Sequence, residues 1–242
     1  MWPDENWRNW RLVAKLDPDK PVTGEILTVI KHPGFNAVVV GGTQGITFDN
    51  SFRLVEAIKS SGYTGPLVQE ISSASAVVAG VDAHFIPFVI NAGDKKWFSD
   101  YYLEAIKVFG RLIDWGRVLT EGYIICNRNS AAGRLTGVGE VGLDDALAYA
   151  AMAEGIYNFP LLYIEYSGRF GDPDLVKAVA GSRDKIHLVY GGGISDVAKA
   201  QAMAGFVDTL IIGNVLYDDW RSALEIAGFV HDRGPGKKQG TG

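Results

Sequence analysis

The sequence is short of several things, and each shortage removes a class of protein. Cysteine occurs once, at Cys126, so no internal disulfide can form and no cysteine-rich zinc site can assemble. Such usage suits a reducing compartment, and the chain is expected in the cytoplasm. Basic residues are not in excess: 23 Lys and Arg stand against 28 Asp and Glu, a formal net charge of -5. They are scattered as well, so no positive field is available for a nucleic acid backbone, and no nucleic acid partner is expected. No apolar run reaches the roughly 18 residues of a membrane span, and Met1-Trp2-Pro3-Asp4-Glu5 lacks the basic-then-apolar pattern of a secretion signal. Any membrane contact is expected to be peripheral. The histidines His32, His84, His187 and His231 have no metal-ligand spacing, and neither a Walker A lysine nor a nucleophile elbow occurs. Zinc catalysis and a serine triad are set aside on those grounds.

What is present is a regular succession of short apolar, β-rich runs. They are Leu12 to Lys15, Ala37 to Gly41, Pro66 to Glu70, Ala83 to Pro87, Tyr123 to Cys126, Leu161 to Glu165, His187 to Tyr190 and Thr209 to Ile212. Each is followed by turn residues and usually by a helical pattern, which predicts an α/β fold, a (β/α)₈ TIM barrel of parallel strands. A doubly wound open sheet competes, but eight regular units with Gly or Ser at nearly every strand exit favour closure. The length of 242 residues matches one such domain of about 250 residues, expected over residues 1–233. The polar, glycine-rich 234–242 tail is expected to be disordered.

One unit is irregular. Between Glu70 and Ala83 there is barely room for a crossover helix with its two loops. The barrel is therefore expected to be modified at the third helix. Two readings stay open there: an abbreviated helix packed in the ordinary way, or a gap whose small and apolar side chains form a groove for something greasy. After the fourth run, Trp97 to Ile113 reads as a helix with Phe98, Tyr101, Ala105, Phe109 and Leu112 along one stripe, Ala105 being a notch in it. Such a stripe by itself reads as core packing.

Chemistry is expected at the strand exits, because barrels of this kind carry their sites at the carboxy-terminal mouth and bind phosphate after strands seven and eight. Strand seven exits into Gly191-Gly192-Gly193, and strand eight into Gly213-Asn214. Glycine lets backbone N–H groups approach phosphate oxygens without a Cβ in the way. On strand six the alternation of side chains puts Tyr163, Glu165 and Ser167 on one face. An unpaired Glu165 would repel phosphate, so it suits hydrogen bonds from hydroxyl groups at the far end of a polyol phosphate, and a proton. A buried Glu165 paired with a lysine from a neighbouring strand is the structural alternative. Lys15 and Asp17 likewise share a face of strand one. Asp17 suits Mg²⁺, which prefers hard oxygen and takes few protein ligands when a diphosphate completes its shell; the Thr43 hydroxyl offers a second oxygen. Alone, Asp17 reads as a turn cap before Pro18. Gly137-Val138-Gly139-Glu140-Val141-Gly142 has the spacing of a dinucleotide fingerprint but does not directly follow a strand, and is read as a loop. The acidic pairs Asp144-Asp145 and Asp218-Asp219 are read as helix caps.

Taken together, Lys15-Leu16-Asp17-Pro18, Gly41-Gly42-Thr43, Phe85-Ile86-Pro87, Tyr163-Ile164-Glu165-Tyr166-Ser167-Gly168, Tyr190-Gly191-Gly192-Gly193-Ile194 and Gly213-Asn214 resemble the geranylgeranylglyceryl and heptaprenylglyceryl phosphate synthase family. Six motifs in order, from about Trp7 to Tyr217, carry the resemblance, and the bacterial members are the more similar. It implies a modified barrel that transfers a prenyl group from a polyprenyl diphosphate to sn-glycerol 1-phosphate, with Mg²⁺ near Asp17 and Thr43. By the same resemblance Lys15, the stretch Tyr163, Ile164, Glu165, Tyr166, Ser167 and Gly168, then Gly191, Gly192 and Gly193, and Gly213 with Asn214 bind glycerol phosphate. The prenyl tail would lie at Ile71 to Asp82, and a homodimer is implied. A small residue at Ala105 suits a long chain such as heptaprenyl. In the chemistry expected, Glu165 orients and deprotonates the glycerol hydroxyl while Lys15 stabilises developing negative charge. Phosphoglycerate as acceptor, a sugar-phosphate isomerase or aldolase, and a non-catalytic phosphometabolite-binding barrel are the alternatives.

Overall fold

A computed structural model of the protein describes residues 6–233; the expected disordered tail lies outside the described residues. The strands are β1 (Leu12–Leu16), β2 (Ala37–Val40), β3 (Leu67–Glu70), β4 (Ala83–Val89), β5 (Val118–Ile125), β6 (Leu161–Glu165), β7 (His187–Gly191) and β8 (Thr209–Ile212). All neighbours pair in parallel, and β1 pairs with β8 as well as β2, so the sheet closes in chain order. The helices are α1 (Gly24–Val29), α2 (Phe48–Ser60), α3 (Asp100–Phe109), α4 (Ala131–Thr136), α5 (Leu143–Ala151), α6 (Pro173–Ser182), α7 (Val197–Ala204), α8 (Asn214–Asp218) and α9 (Trp220–Asp232). Among the described residues no helix is long and apolar enough to cross a membrane.

Alternation along the strands sorts the apolar residues into two concentric cores. Leu12, Ala14, Leu16, Val38, Val40, Leu162, Ile164, Leu188, Tyr190, Leu210 and Ile212 face outward and pack under the helices. Val13, Val39, Val68, Phe85, Tyr123, Leu161, Tyr163, Val189 and Ile211 face the barrel axis. Two tryptophans from the amino-terminal segment join this inner cluster: Trp10 stacks on Phe85 at 6.3 Å and Trp7 meets His187 edge-on at 5.1 Å. Full burial of an aliphatic side chain is worth roughly 1.5–3 kcal/mol, and both cores draw on it strand by strand.

The third crossover has no α-helix. A single 3-10 turn, Ala74–Ala76, stands in its place, so of the two readings of that segment the structure contains the gap. Gln69 explains how the substitute is held. It points outward from β3, where other strands carry apolar residues, and is 2 % exposed. Its Nε2 donates to Ala76 O at 2.7 Å and its Oε1 accepts from Val78 N at 2.9 Å, fastening the loop to the sheet that a helix would otherwise cover.

Three expectations shift. The helix read over Trp97 to Ile113 divides into a 3-10 turn at Lys95–Trp97, capped by the Asp94 side chain, then α3, then a 3-10 turn at Gly110–Leu112. None of the residues of α3 is buried. β5 begins five residues before the expected Tyr123, because Glu121 and Gly122, types depleted in strands, interrupt the apolar run; a Cβ at Gly122 would stand 2.9 Å from the Phe159 ring. Asp218 closes α8 rather than opening a helix, whereas Asp219 caps α9 by accepting from Arg221 N and Ser222 N. The glycine run at 137–142 is the loop between α4 and α5, with Gly137 in the left-handed region at φ 66.

Candidate active site

The carboxy-terminal ends of the strands open onto one cavity of about 1270 Å³. Its walls include Lys15, Asp17, Thr43, Tyr163, Glu165, Ser167, Gly168, Gly191, Gly192, Gly193, Gly213 and Asn214, residues brought together from five strand exits. Ile164 and Tyr166 are the exceptions in the stretch from Tyr163 to Gly168. Alternation turns both outward into the helix-facing core, so only their backbone is near the mouth.

Glycine shapes the strand-seven exit. Gly192 has φ 144 and Gly193 φ 60, conformations that L side chains rarely adopt. Their missing Cβ atoms would collide with the backbone of Tyr166 and of Arg169 and Phe170, and a Cβ on Gly191 would strike the Tyr163 hydroxyl. The β6 and β7 exits can touch only because these three positions are glycine.

The inner face carries more charge than the sequence reading supplied. Lys15 Nζ donates to both carboxylate oxygens of Glu70, at 2.7 and 2.9 Å, and to the Tyr123 hydroxyl at 3.2 Å. Lys15 therefore pairs not with Glu165 but with Glu70, two strands along on β3. Glu165 accepts from the Ser167 hydroxyl, while its Oε2 is buried without a hydrogen-bond partner, an arrangement that calls for a donor. Glu121 lies deeper, 2 % exposed, also with an unpartnered Oε2. One ammonium thus serves three carboxyl groups. Burial alone would lower the Lys15 ammonium, but Glu70, Glu165 and Glu121 outweigh it and hold it above its ordinary value. Burial raises Glu165 above the usual carboxylate range, with Lys15 and Ser167 opposing. Glu121 is raised well above that range, by burial first and by Glu70 next.

Glu70, Glu121 and Tyr123 were not singled out in the sequence. Glu70 had a usable signal, since it ends the third apolar run on the face of Val68. Glu121 had none, because the run that contains it was not recognised as strand.

A metal cage is not present: among the described residues no three His, Cys, Asp or Glu gather as one. The wall at Asp17 and Thr43 suits an ion needing few protein ligands. Asp17 Oδ1 accepts from Asp19 N at 3.0 Å, so the turn-capping role is real but engages one oxygen. Gly42 leaves room for this carboxylate, which a Cβ there would strike. Asp17 and Thr43 both line the mouth, and their hard oxygen donors suit Mg²⁺.

From this polar mouth the same cavity continues into the gap left by the third helix. Ile71, Ala74, Val77 and Val81 line one side, Ile86 and Phe88 of β4 the floor, and Tyr101, Ala105, Ile106, Phe109 and Leu112 the other side. The helix stripe expected to be core packing is therefore a groove wall, apart from Phe98, which packs on Phe88 and Tyr157.

Fold and site together define a β/α barrel with a polar mouth cornered by glycines and an apolar side groove. The chain belongs to the PcrB family, whose profile matches residues 5–229. It is 43% identical over 220 residues to the heptaprenylglyceryl phosphate synthase of Brevibacillus brevis, covering 90% of this chain and 94% of that one. With the protein of the same name from a Geobacillus strain it shares 42% over 218 residues, covering 90% and 95%. Among solved structures, (S)-3-O-geranylgeranylglyceryl phosphate synthase from Thermoplasma acidophilum, in complex with sn-glycerol-1-phosphate, superposes with a TM-score of 0.80 at 21% identity, covering 94% of this chain and 96% of that one. That last likeness shows the fold.

Proposed function

We propose that the protein transfers a long prenyl group, heptaprenyl, from its diphosphate to sn-glycerol 1-phosphate, forming an ether-linked prenylglyceryl phosphate and releasing diphosphate. One observation carries this reading. The polar mouth and the apolar groove are two ends of a single cavity of about 1270 Å³, larger than the roughly 300–1,000 Å³ of ordinary small-molecule sites. A ligand pair that is anionic at one end and a long hydrocarbon at the other fits such a space. The names of the relatives at 43% and 42% identity support heptaprenyl as donor, and so does a methyl side chain at Ala105 in the groove wall.

In this reading the glycine corners at Gly191 to Gly193 and at Gly213 with Asn214 receive the acceptor's phosphate through backbone N–H groups. Tyr163, Ser167 and Gly168 shape the space around the glycerol, with Ile164 and Tyr166 contributing backbone alone. Glu165 orients the attacking hydroxyl and takes its proton; a carboxyl raised by burial is the stronger base once ionised. The hydroxyl oxygen bonds to C1 of the allylic chain as the C1–O bond to diphosphate breaks, and diphosphate leaves with the bonding pair. Asp17 and Thr43 would hold Mg²⁺, which would supply charge neutralisation to that leaving group. Lys15, fixed by Glu70 and Tyr123, provides positive potential where negative charge develops. The homodimer implied by the family resemblance belongs to the same reading, and sedimentation of the purified protein checks it.

The test is incubation with radiolabelled sn-glycerol 1-phosphate, a ladder of prenyl diphosphates and Mg²⁺, followed by extraction into organic solvent. Label in a heptaprenyl product is expected. A clear preference for geranylgeranyl would refute the donor, and label confined to the aqueous phase would refute the reaction.

A further inference from the structure

The mouth has a problem of charge. It must admit two polyanions, yet its carboxylates outnumber its cations, and Lys15 is already paired with Glu70. Lys20 is different. It lines the cavity, is exposed, and forms no ion pair with a carboxylate among the described residues. Its Nζ donates to the neutral Asn214 Oδ1 at 3.0 Å and lies 4.9 Å from the centre of the Tyr217 ring. An ammonium has three donors, so two remain free.

The position of that ammonium is built. Lys20 N donates to Asp17 O at 3.0 Å, closing the turn that follows β1. The Tyr217 hydroxyl accepts from Asp17 N at 2.8 Å, so the ring beneath the ammonium is fastened to the same turn. Asn214 directly follows Gly213 at the β8 exit. Three anchors, one from each of two strand exits and one from α8, hold a cation over the corner where the acceptor's phosphate is placed above.

We propose that Lys20 is a substrate-binding residue that closes over the phosphate of the acceptor and sets the enzyme's preference for a phosphorylated one. This rests on the glycerol phosphate reading. Asn214 and Tyr217 keep the lysine extended when the site is empty, and phosphate oxygens take its two free donors on binding. Charge-assisted hydrogen bonds from an exposed lysine to phosphate oxygens should give about a tenfold effect on affinity.

The experiment measures sn-glycerol 1-phosphate and inorganic phosphate binding by calorimetry, with steady-state kinetics, for wild type, Lys20→Ala and Lys20→Arg. In Lys20→Ala the acceptor's Kd and KM should rise about tenfold while kcat and the donor's KM stay within about twofold, and Lys20→Arg should recover most of the loss. Equal acceptor binding by wild type and Lys20→Ala would overturn the assignment and leave the function standing. A rise confined to the donor's KM would overturn it equally. If the wild type binds neither glycerol 1-phosphate nor phosphate, the functional reading fails and takes this inference with it.

Discussion

Replacing Lys15 with methionine keeps the length of the side chain and removes the cation that three buried carboxyl groups share. The side chains of Lys15 and Glu70 are 20% and 11% exposed, so solvent does little to screen the loss. Removing one partner of a buried pair costs roughly 3–5 kcal/mol, and here the cost must depend on pH. In the wild type the ammonium of Lys15 is raised by its neighbours, so its contribution is fully present below the unfolded value of about 10.4 and constant across neutral pH. In Lys15→Met, Glu165, already raised by burial, loses the cation that opposes that rise and holds its proton to higher pH. The native state then binds one proton more than the unfolded chain, and stability falls by about 1.4 kcal/mol for each unit of rising pH. Urea unfolding of both proteins should show a deficit of about 3–5 kcal/mol at pH 8, shrinking by about 2.7 kcal/mol at pH 6. An unchanged m-value would keep the comparison valid. A deficit equal at both pH values, or below about 1 kcal/mol at pH 8, would refute the idea that Lys15 neutralises the barrel interior.

Glu165→Gln should lower kcat by roughly 10² to 10⁴ with little change in the acceptor's KM, as read in the radiolabel assay. Because burial raises the Glu165 carboxyl, the acid limb of kcat/KM in the wild type should lie above the ordinary Glu value of about 4.3 and vanish in that variant. Asp17→Asn should shift the Mg²⁺ requirement of turnover upward by about tenfold or more, measured by titrating the ion at saturating donor; an unchanged requirement places the ion elsewhere. Filling the notch by Ala105→Trp should shorten the longest prenyl donor accepted while leaving acceptor KM unchanged, as judged by chromatography of products from a donor ladder.

Much of the barrel was legible because its strands advertise themselves. β6 and β8 were read at their observed bounds, since each is a continuous apolar run ended by a turn. β5 was cut short because its middle carries Glu121 and Gly122, a charged and a glycine position that make sense only once the barrel interior and the Phe159 ring are in place. The glycine corners and Glu165 were visible through position and alternation. The partner of Lys15 was not, because a contact that skips over β2 depends on the stagger of the strands, and nothing in the spacing of Lys15 and Glu70 says that their tips meet. The groove was undecidable for a related reason: a stripe at helical spacing looks the same whether it packs on a sheet or on a ligand.

The absence of any buried residue in α3 bears on how this wall behaves when the groove is empty. Local opening should cost little there, since few apolar contacts are lost, and its amides should exchange hydrogen far faster than those of β1 to β8. A hydrocarbon chain lying along Tyr101, Ala105 and Phe109 gives the helix the underside it lacks. Exchange protection along α3 thus becomes a gauge of occupancy, turn by turn, and a chain that ends short of Leu112 leaves the last turn as quick to exchange as before.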